Sequence, residues 1–377
     1  MPTWVRIRTA PAEPRVPISP FALALAFALA VVVAAAATPI VSRLAVAFGA
    51  VDRPNDRKIS RRENMPLLGG IAVALGLFVG LAVCALLVEG DVFRGHLEAY
   101  LLGGTLLLGV GVIDDRWSLR AFPKLIVQVA AAAVAISFGF QIDHLTDPIS
   151  RTVWAFPTWL TWVVTLAWIV GVTNAMNFMD GLDGLCTGIG LIIAMTLTFV
   201  SWQSGLPSGI AVGLILSGAL LGFLPFNFPP ARIFLGDTGA YFIGFSLSLL
   251  ALEGYQKVTV LTFLVPLLAL AVPIIDTTLS VMRRVGRRAN PMSADRHHMH
   301  HRLLDTEGDV RSAVLSIYFL TACFCIIAVS FTRLEGWAAI LFLAAVALLT
   351  LRLLRNLGFF ASDVGSGAAN NKEGTAG

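Results

Sequence analysis

Charge is what this sequence has least of. Asp, Glu, Lys and Arg make up 13% of its 377 residues, against 57% hydrophobic ones, whereas a soluble domain carries roughly 25% charged residues. That shortage excludes a soluble globular enzyme, a disordered chain and a single anchor bearing a large polar head. Cysteine is scarce too: Cys84, Cys186, Cys323 and Cys325 all fall inside apolar runs with no C-x-x-C pair. This excludes a disulfide framework and leaves the four as small buried hydrophobes. No G-x-x-x-x-G-K-[ST] loop is present, so no ATPase-type cradle holds phosphates. Apolar and polar residues do not alternate every second position, which disfavours a β-barrel. The net charge of +4 is spread over many loops and carries no nucleic-acid signal.

What is present is a series of apolar runs near the length of about 20 residues that spans a bilayer. They lie near 20–47, 67–88, 98–113, 122–140, 157–175, 185–203, 208–226, 238–252, 259–282, 312–332 and 337–354. The first continues past the length of a signal-peptide core, about 7–15 residues, and reads as a span. The fold class is therefore all-α: a polytopic membrane protein of about 11 transmembrane helices. Residues 1–17 form a leader, 18–356 a single multi-span domain, and 357–377 a Gly, Ala and Asn-rich tail expected to be disordered.

Basic residues concentrate in alternate connections. Arg53, Arg57, Lys58, Arg61 and Arg62 follow the first run, and Arg116, Arg120 and Lys124 the third. Arg232 follows the seventh, and Arg283, Arg284, Arg287, Arg288, Arg296, Arg302 and Arg311 the ninth. The intervening connections hold only Arg94, Arg151, Lys257 and Arg333. The positive-inside rule places the first set in the cytoplasm of a bacterial inner membrane, with the N-terminus outside and the C-terminus inside.

The chemistry-bearing residues lie on that same side. Asn174, Asn177, Asp180 and Asp183 recur every third residue, a spacing that lines them on one stripe of a helical or 3₁₀ turn. Helix capping explains one such residue but not four beside apolar Met176, Phe178 and Leu182. Asp114 and Asp115 end the third run; neighbours on a helix diverge by about 100°, so they face different partners. Lys124 supplies an ammonium at the start of the next run. Asp237 stands between Gly236 and Gly239 at the entry to the eighth, either as an N-cap or as a hard oxygen ligand for Mg²⁺, which takes one or two protein oxygens plus phosphates. His298, His300 and His301 sit among Arg287, Arg288, Arg296 and Arg302; this cationic, cysteine-free setting suits phosphate oxygens better than zinc. Carboxylates for a divalent ion and cations for phosphates, at a membrane surface, describe phosphoryl transfer.

The motifs NAMNFMDGLDGL, FLGDTG and the His-rich DRHHMHHRL, with the flanking loops from Asp52 to Leu304, resemble the polyprenyl-phosphate N-acetylhexosamine-1-phosphate transferases. The resemblance implies transfer of a HexNAc-1-phosphate, GlcNAc-1-phosphate foremost, from a UDP-sugar to polyprenyl phosphate in the bilayer, with release of UMP. It further implies that Asn177 and Asp237 hold Mg²⁺ (Mn²⁺ substituting) and that Lys124 contacts the diphosphate. Phe234 would stack on uracil. Asp114 would sit by the lipid phosphate as base, nucleophile or electrostatic group, and Asp115 would organise the cations around it. Asp180 and Asp183 would shape the sugar-nucleotide pocket, and His298, His300 and His301 would lie over phosphates or sugar. Asn174, Arg57, Lys58 and Arg296 complete the expected substrate-binding set, and a homodimer is an allowed assembly. Ser118 replaces the third acid of the family's D-D-x-x-D, and Ala240 stands where Ser is common. The competing readings are a phospho-N-acetylmuramoyl-pentapeptide transferase, whose loop carries a run of three histidines, and a transporter, which would place its charges at mid-membrane.

Overall fold

The computed structural model describes residues 18–52, 65–88, 93, 95–146, 152–253, 260–286, 303–304, 307–332, 334 and 336–356. Helices occupy each of the expected apolar runs: α1 Pro20–Phe48, α2 Gly69–Leu87, α3 His96–Trp117, α4 Ala121–Ser137, α5 Thr158–Phe178, α6 Leu185–Gln203, α7 Pro207–Asn227, α8 Gly236–Glu253, α9 Val260–Ala269, α10 Ala271–Gly286, α11 Val310–Phe331 and α12 Gly336–Asn356. Among the described residues, seven of them (α1, α2, α3, α5, α6, α7 and α11) are long and apolar enough to cross a membrane. Eleven spans are thus not established by length and composition, but a multi-pass all-α membrane protein is. Two short antiparallel ribbons interrupt the all-helical plan: β1 Val51–Asp52 pairs with β2 Met65–Pro66, and β3 His144–Thr146 with β4 Val153–Ala155. The chain divides into two compact units, Met1–Thr332 and Arg333–Gly377, and α12 belongs to the second.

Bilayer-facing residues are what leave so many large apolar side chains uncovered; Phe21 is 72%, Leu86 85% and Phe319 74% exposed. Lipid tails are as apolar as leucine, so helices in a membrane associate through close packing, and small residues permit it. On α1, Ala22, Ala26, Ala30 and Ala34 recur every fourth position and are all buried. This seam lies against α2 and α7, where Gly76 and Gly218 come within van der Waals reach of α1.

The ninth run, read as one span over 259–282, is broken at Leu270 into α9 and α10. Pro273 has no N–H to give the Ala269 carbonyl one turn back, which is where a helix parts. That carbonyl instead faces Cys325 Sγ at 3.9 Å.

The start of α8 is held by close crossings with α3 and α2. A methyl group on Gly111 of α3 would lie 2.3 Å from Thr238 Cα, and one on Gly70 of α2 would lie 2.2 Å from Gly239 Cα. Neither backbone can retreat without moving α8. Gly111→Ala is expected to destabilise the protein by about 1–3 kcal/mol, as overpacking does. Thermal melting in detergent measures it, and an unchanged midpoint would mean that α8 yields freely.

At the opposite end the start of α3 meets the end of α8. His96 Nδ1 lies 3.0 Å from the buried Glu253 Oε1, and Ser208 Oγ at the start of α7 donates to Glu253 Oε2. This polar knot ties three helix ends together and was not foreseen.

Candidate active site

Four helix ends converge at one face of the membrane-spanning bundle. The last turn of α3 carries Asp114 and Asp115, the first turn of α4 Lys124, the last turn of α5 Asn177, and the first turn of α8 Asp237. Adjacent carboxylates on α3 diverge as helical geometry demands. Asp114, nearly buried, accepts from Lys124 Nζ at 2.6 Å and from the Leu119 backbone N–H at 2.6 Å. Lys124 also reaches Asp237 Oδ2 at 3.3 Å. A single ammonium therefore bridges two carboxylates that are 123 residues apart in the chain.

Asp115 turns the other way. Its two oxygens accept from Asp237 N at 2.8 Å, Thr238 N at 3.1 Å and Thr238 Oγ1 at 2.6 Å. The first N–H groups of a helix have no intrahelical acceptor, and a negative group there also opposes the positive end of the helix dipole. Asp115 is thus a cap supplied from another helix. Gly236, at φ +73°, makes room for it: a Cβ there would strike Asp115 Oδ2 at 2.5 Å. Lys124, the cation beside these acids, meets Asp114 and Asp237, while Asp115 holds the start of α8.

Asp237 is one residue inside α8, not its N-cap. Its side chain is 32% exposed, against 5% for Asp114, so it is the carboxylate of the pair that opens outward. Asn177 Nδ2 donates to its Oδ1 at 2.9 Å, and the Tyr241 hydroxyl to its Oδ2 at 3.4 Å. Tyr241 escaped the sequence reading, although a residue four positions on from Asp237 along a helix shares its face. Among the described residues no group of three His, Cys, Asp or Glu side chains is arranged to hold a metal ion. Asp237 and Asn177 are the residues here that could hold a divalent ion, since Mg²⁺ takes only one or two protein oxygens and keeps waters.

The three-residue stripe is only partly preserved, because α5 ends at Phe178. Asp180 N still bonds Asn177 O in a 3₁₀ manner at 3.1 Å. Burial pushes the Asp180 carboxyl well above the usual carboxylate range, helped by the Asp237, Asp115 and Asp183 charges. Asp183 leaves the stripe and accepts from the Ala231 N–H at 2.9 Å. Asn174 pairs its amide with Gln128 of α4, donating at 2.7 Å to Oε1 and accepting at 3.3 Å. Gln128 is four residues beyond Lys124 and fixes α4 against α5 one turn behind the ammonium; it too was missed.

Phe234 is placed by its backbone: its N–H donates to Pro66 O at 2.9 Å, and its carbonyl accepts from Gly69 N at 3.1 Å. Buried Asn227 adds a strut, donating to Ile233 O at 3.0 Å while accepting from Thr187 Oγ1 at 2.7 Å. Together these contacts hold the 228–235 segment that delivers Asp237. Arg57, Lys58, Arg296, His298, His300 and His301 lie outside the described residues.

The described residues thus define a multi-pass membrane protein with carboxylates, a lysine and an amide gathered at one bundle end. The sequence profile of glycosyl transferase family 4 matches residues 97–255, from the start of α3 into the segment after α8. A Bacillus subtilis (strain 168) protein named "Probable undecaprenyl-phosphate N-acetylglucosaminyl 1-phosphate transferase" is 33% identical over 84% of this chain and 87% of its own length. The decaprenyl-phosphate N-acetylglucosaminephosphotransferase of Mycolicibacterium smegmatis is 34% identical over 75% of each chain. The undecaprenyl-phosphate alpha-N-acetylglucosaminyl 1-phosphate transferase of Haemophilus influenzae is 35% identical over 76% of this chain and 80% of its own. The chain belongs to glycosyl transferase family 4.

Proposed function

We propose that this protein transfers N-acetylglucosamine-1-phosphate from UDP-N-acetylglucosamine to a polyprenyl phosphate and releases UMP, starting a cell-envelope glycan. The observation that carries the reading is Lys124 held between Asp114 and Asp237, with Asn177 on the same carboxylate. The three relatives' names, all of them N-acetylglucosamine-phosphate transferases, favour this donor over a muramoyl-pentapeptide one. The charge distribution along the loops supports a site facing the cytoplasm of a bacterial inner membrane.

The reaction exchanges one phosphoanhydride for another. An oxygen of the lipid phosphate forms a bond to the β-phosphorus, and the bond from that phosphorus to the bridging oxygen breaks, so UMP leaves with that oxygen. The difficulty is charge: two unit charges at 4 Å repel by about 4 kcal/mol at an effective dielectric near 20. Lys124 lowers that barrier with an ammonium already oriented by two carboxylates, so little reorganisation is needed as substrates meet. Asp237 and Asn177 would hold Mg²⁺ on the UDP diphosphate, and the ion would polarise the phosphoryl oxygens and screen their charge. Asp115 acts on none of the reacting atoms; it fixes the backbone from which Asp237 projects. A phosphate monoester with a second pKa of about 6 is mostly dianionic near neutrality, so Asp114 need not remove a proton. Its place beside Lys124 suits orientation of the attacking phosphate in a single step.

The test is UMP release by the purified full-length protein across a panel of UDP-sugars, with and without polyprenyl phosphate. UDP-N-acetylglucosamine is expected to give UMP only when the lipid is present. Preference for UDP-N-acetylmuramoyl-pentapeptide would move the assignment to the competing transferase, and solute flux in proteoliposomes without UMP release would move it to transport.

A further inference from the structure

The segment Phe228–Arg232 also roofs a groove away from Asp237. This groove of about 580 Å³ opens between the site-side end of α7 and the start of α11. Leu221, Leu224, Pro225 and Phe228 form its wall, and Arg232 and Arg311 stand at its rim. None of Asp114, Lys124, Asn177 and Asp237 lines it.

Its composition is that of an amphiphile turned inside out. Leu221 is 43% exposed on a helix apolar enough to span the bilayer, so the wall faces hydrocarbon. Both arginines are exposed and lie where a span ends: Arg232 five residues past the end of α7, Arg311 at the second position of α11. The rim is also fixed in place. Arg311 Nε donates to the Pro229 carbonyl at 2.9 Å, which holds the guanidinium against the roof. Arg232 N donates to Phe226 O at 2.8 Å, and the neighbouring Ala231 N–H is held by Asp183. The carboxylate nearest Arg311 in sequence, Asp309, caps α11 by accepting from Ser312 N at 3.2 Å and is not part of the lining. Two cations over an apolar wall at the membrane–water boundary complement one phosphate carrying a hydrocarbon chain.

We infer that this groove binds an anionic glycerophospholipid, with its phosphate between Arg232 and Arg311 and an acyl chain along Leu221, Leu224 and Pro225. The lipid is a resident of the fold and not the acceptor substrate. Because the roof runs on to Phe234 and Asp237, an occupied groove braces the segment that presents the metal-facing carboxylate.

The test is native mass spectrometry of the full-length protein titrated with phosphatidylglycerol or phosphatidylcholine in neutral detergent. Wild type is expected to retain phosphatidylglycerol in preference to phosphatidylcholine. Arg232→Gln/Arg311→Gln is expected to bind phosphatidylglycerol about 30-fold more weakly, the sum of two interfacial arginine contributions. Leu221→Trp keeps both charges but fills the wall, and it is expected to weaken retention as well. Glycerol phosphate at matched concentration should not displace the lipid. The inference is overturned if the double variant retains phosphatidylglycerol like wild type, if phosphatidylcholine binds equally, or if glycerol phosphate competes fully. It is overturned too if the double variant raises the KM for polyprenyl phosphate in step with the lost retention, since the groove would then be the acceptor's.

Discussion

Asp237→Ala lowers UMP release by about 10³-fold, the scale seen when one preorganised electrostatic partner is removed from a transition state, while the protein stays in the membrane at normal abundance. The expectation follows from how many groups end on this one carboxylate. Lys124, Asn177 and Tyr241 all point at it. Loss of the carboxylate leaves the ammonium paired with Asp114 alone and removes the oxygen best exposed to a divalent ion. Added Mg²⁺ is expected to leave the variant inactive, whereas Asn177→Ala is expected to regain part of its rate as Mg²⁺ is raised. Turnover of Asp237→Ala within tenfold of wild type, measured across a Mg²⁺ series, would remove Asp237 from the metal role.

Lys124→Met has the second large effect, about 10²- to 10³-fold in kcat/KM. Here the variant leaves two carboxylates facing each other across the space that the ammonium occupied. Asp114→Asn alone leaves Lys124 paired to Asp237 and removes one of the charges that orients it. The two substitutions act on one unit, so the double variant Asp114→Asn/Lys124→Met should be little worse than Lys124→Met alone, as happens when groups act together. Fully multiplicative losses in the same UMP-release assay would show that lysine and aspartate act separately.

The helices were legible because apolar runs of bilayer length leave little choice, and their ends were found to within a few residues. The break at Leu270 was legible in principle, since Pro273 forbids the hydrogen bond that would bridge it. Convergence of Asn177, Lys124 and Asp237 followed from placing all polar loops on one side. What escaped was of two kinds. Tyr241 and Gln128 each lie four residues from a recognised polar residue on the same helix, a periodicity that was available but hidden among apolar neighbours. Asp115 was expected among cations and Asp183 at the sugar nucleotide; in the fold Asp115 accepts from the Asp237 and Thr238 N–H groups and the Thr238 hydroxyl, and Asp183 from the Ala231 N–H. No spacing rule discloses such a partner, because every residue except proline offers the same donor. The regular spacing of Asn174, Asn177, Asp180 and Asp183 promised one surface, but the helix ends after the second and sends the last to Ala231.

The β1–β2 ribbon has a consequence beyond its few residues. Asp52 and Met65 are paired face to face, and Pro66 is bonded to the Phe234 backbone, so the stretch between them leaves and rejoins the molecule at a single anchor beside the site. Bringing two chain ends together normally carries an entropic cost that grows with loop length; here folding has already met it. The backbone that carries Phe234 is therefore tied, through Pro66, to the same ribbon that holds Asp52.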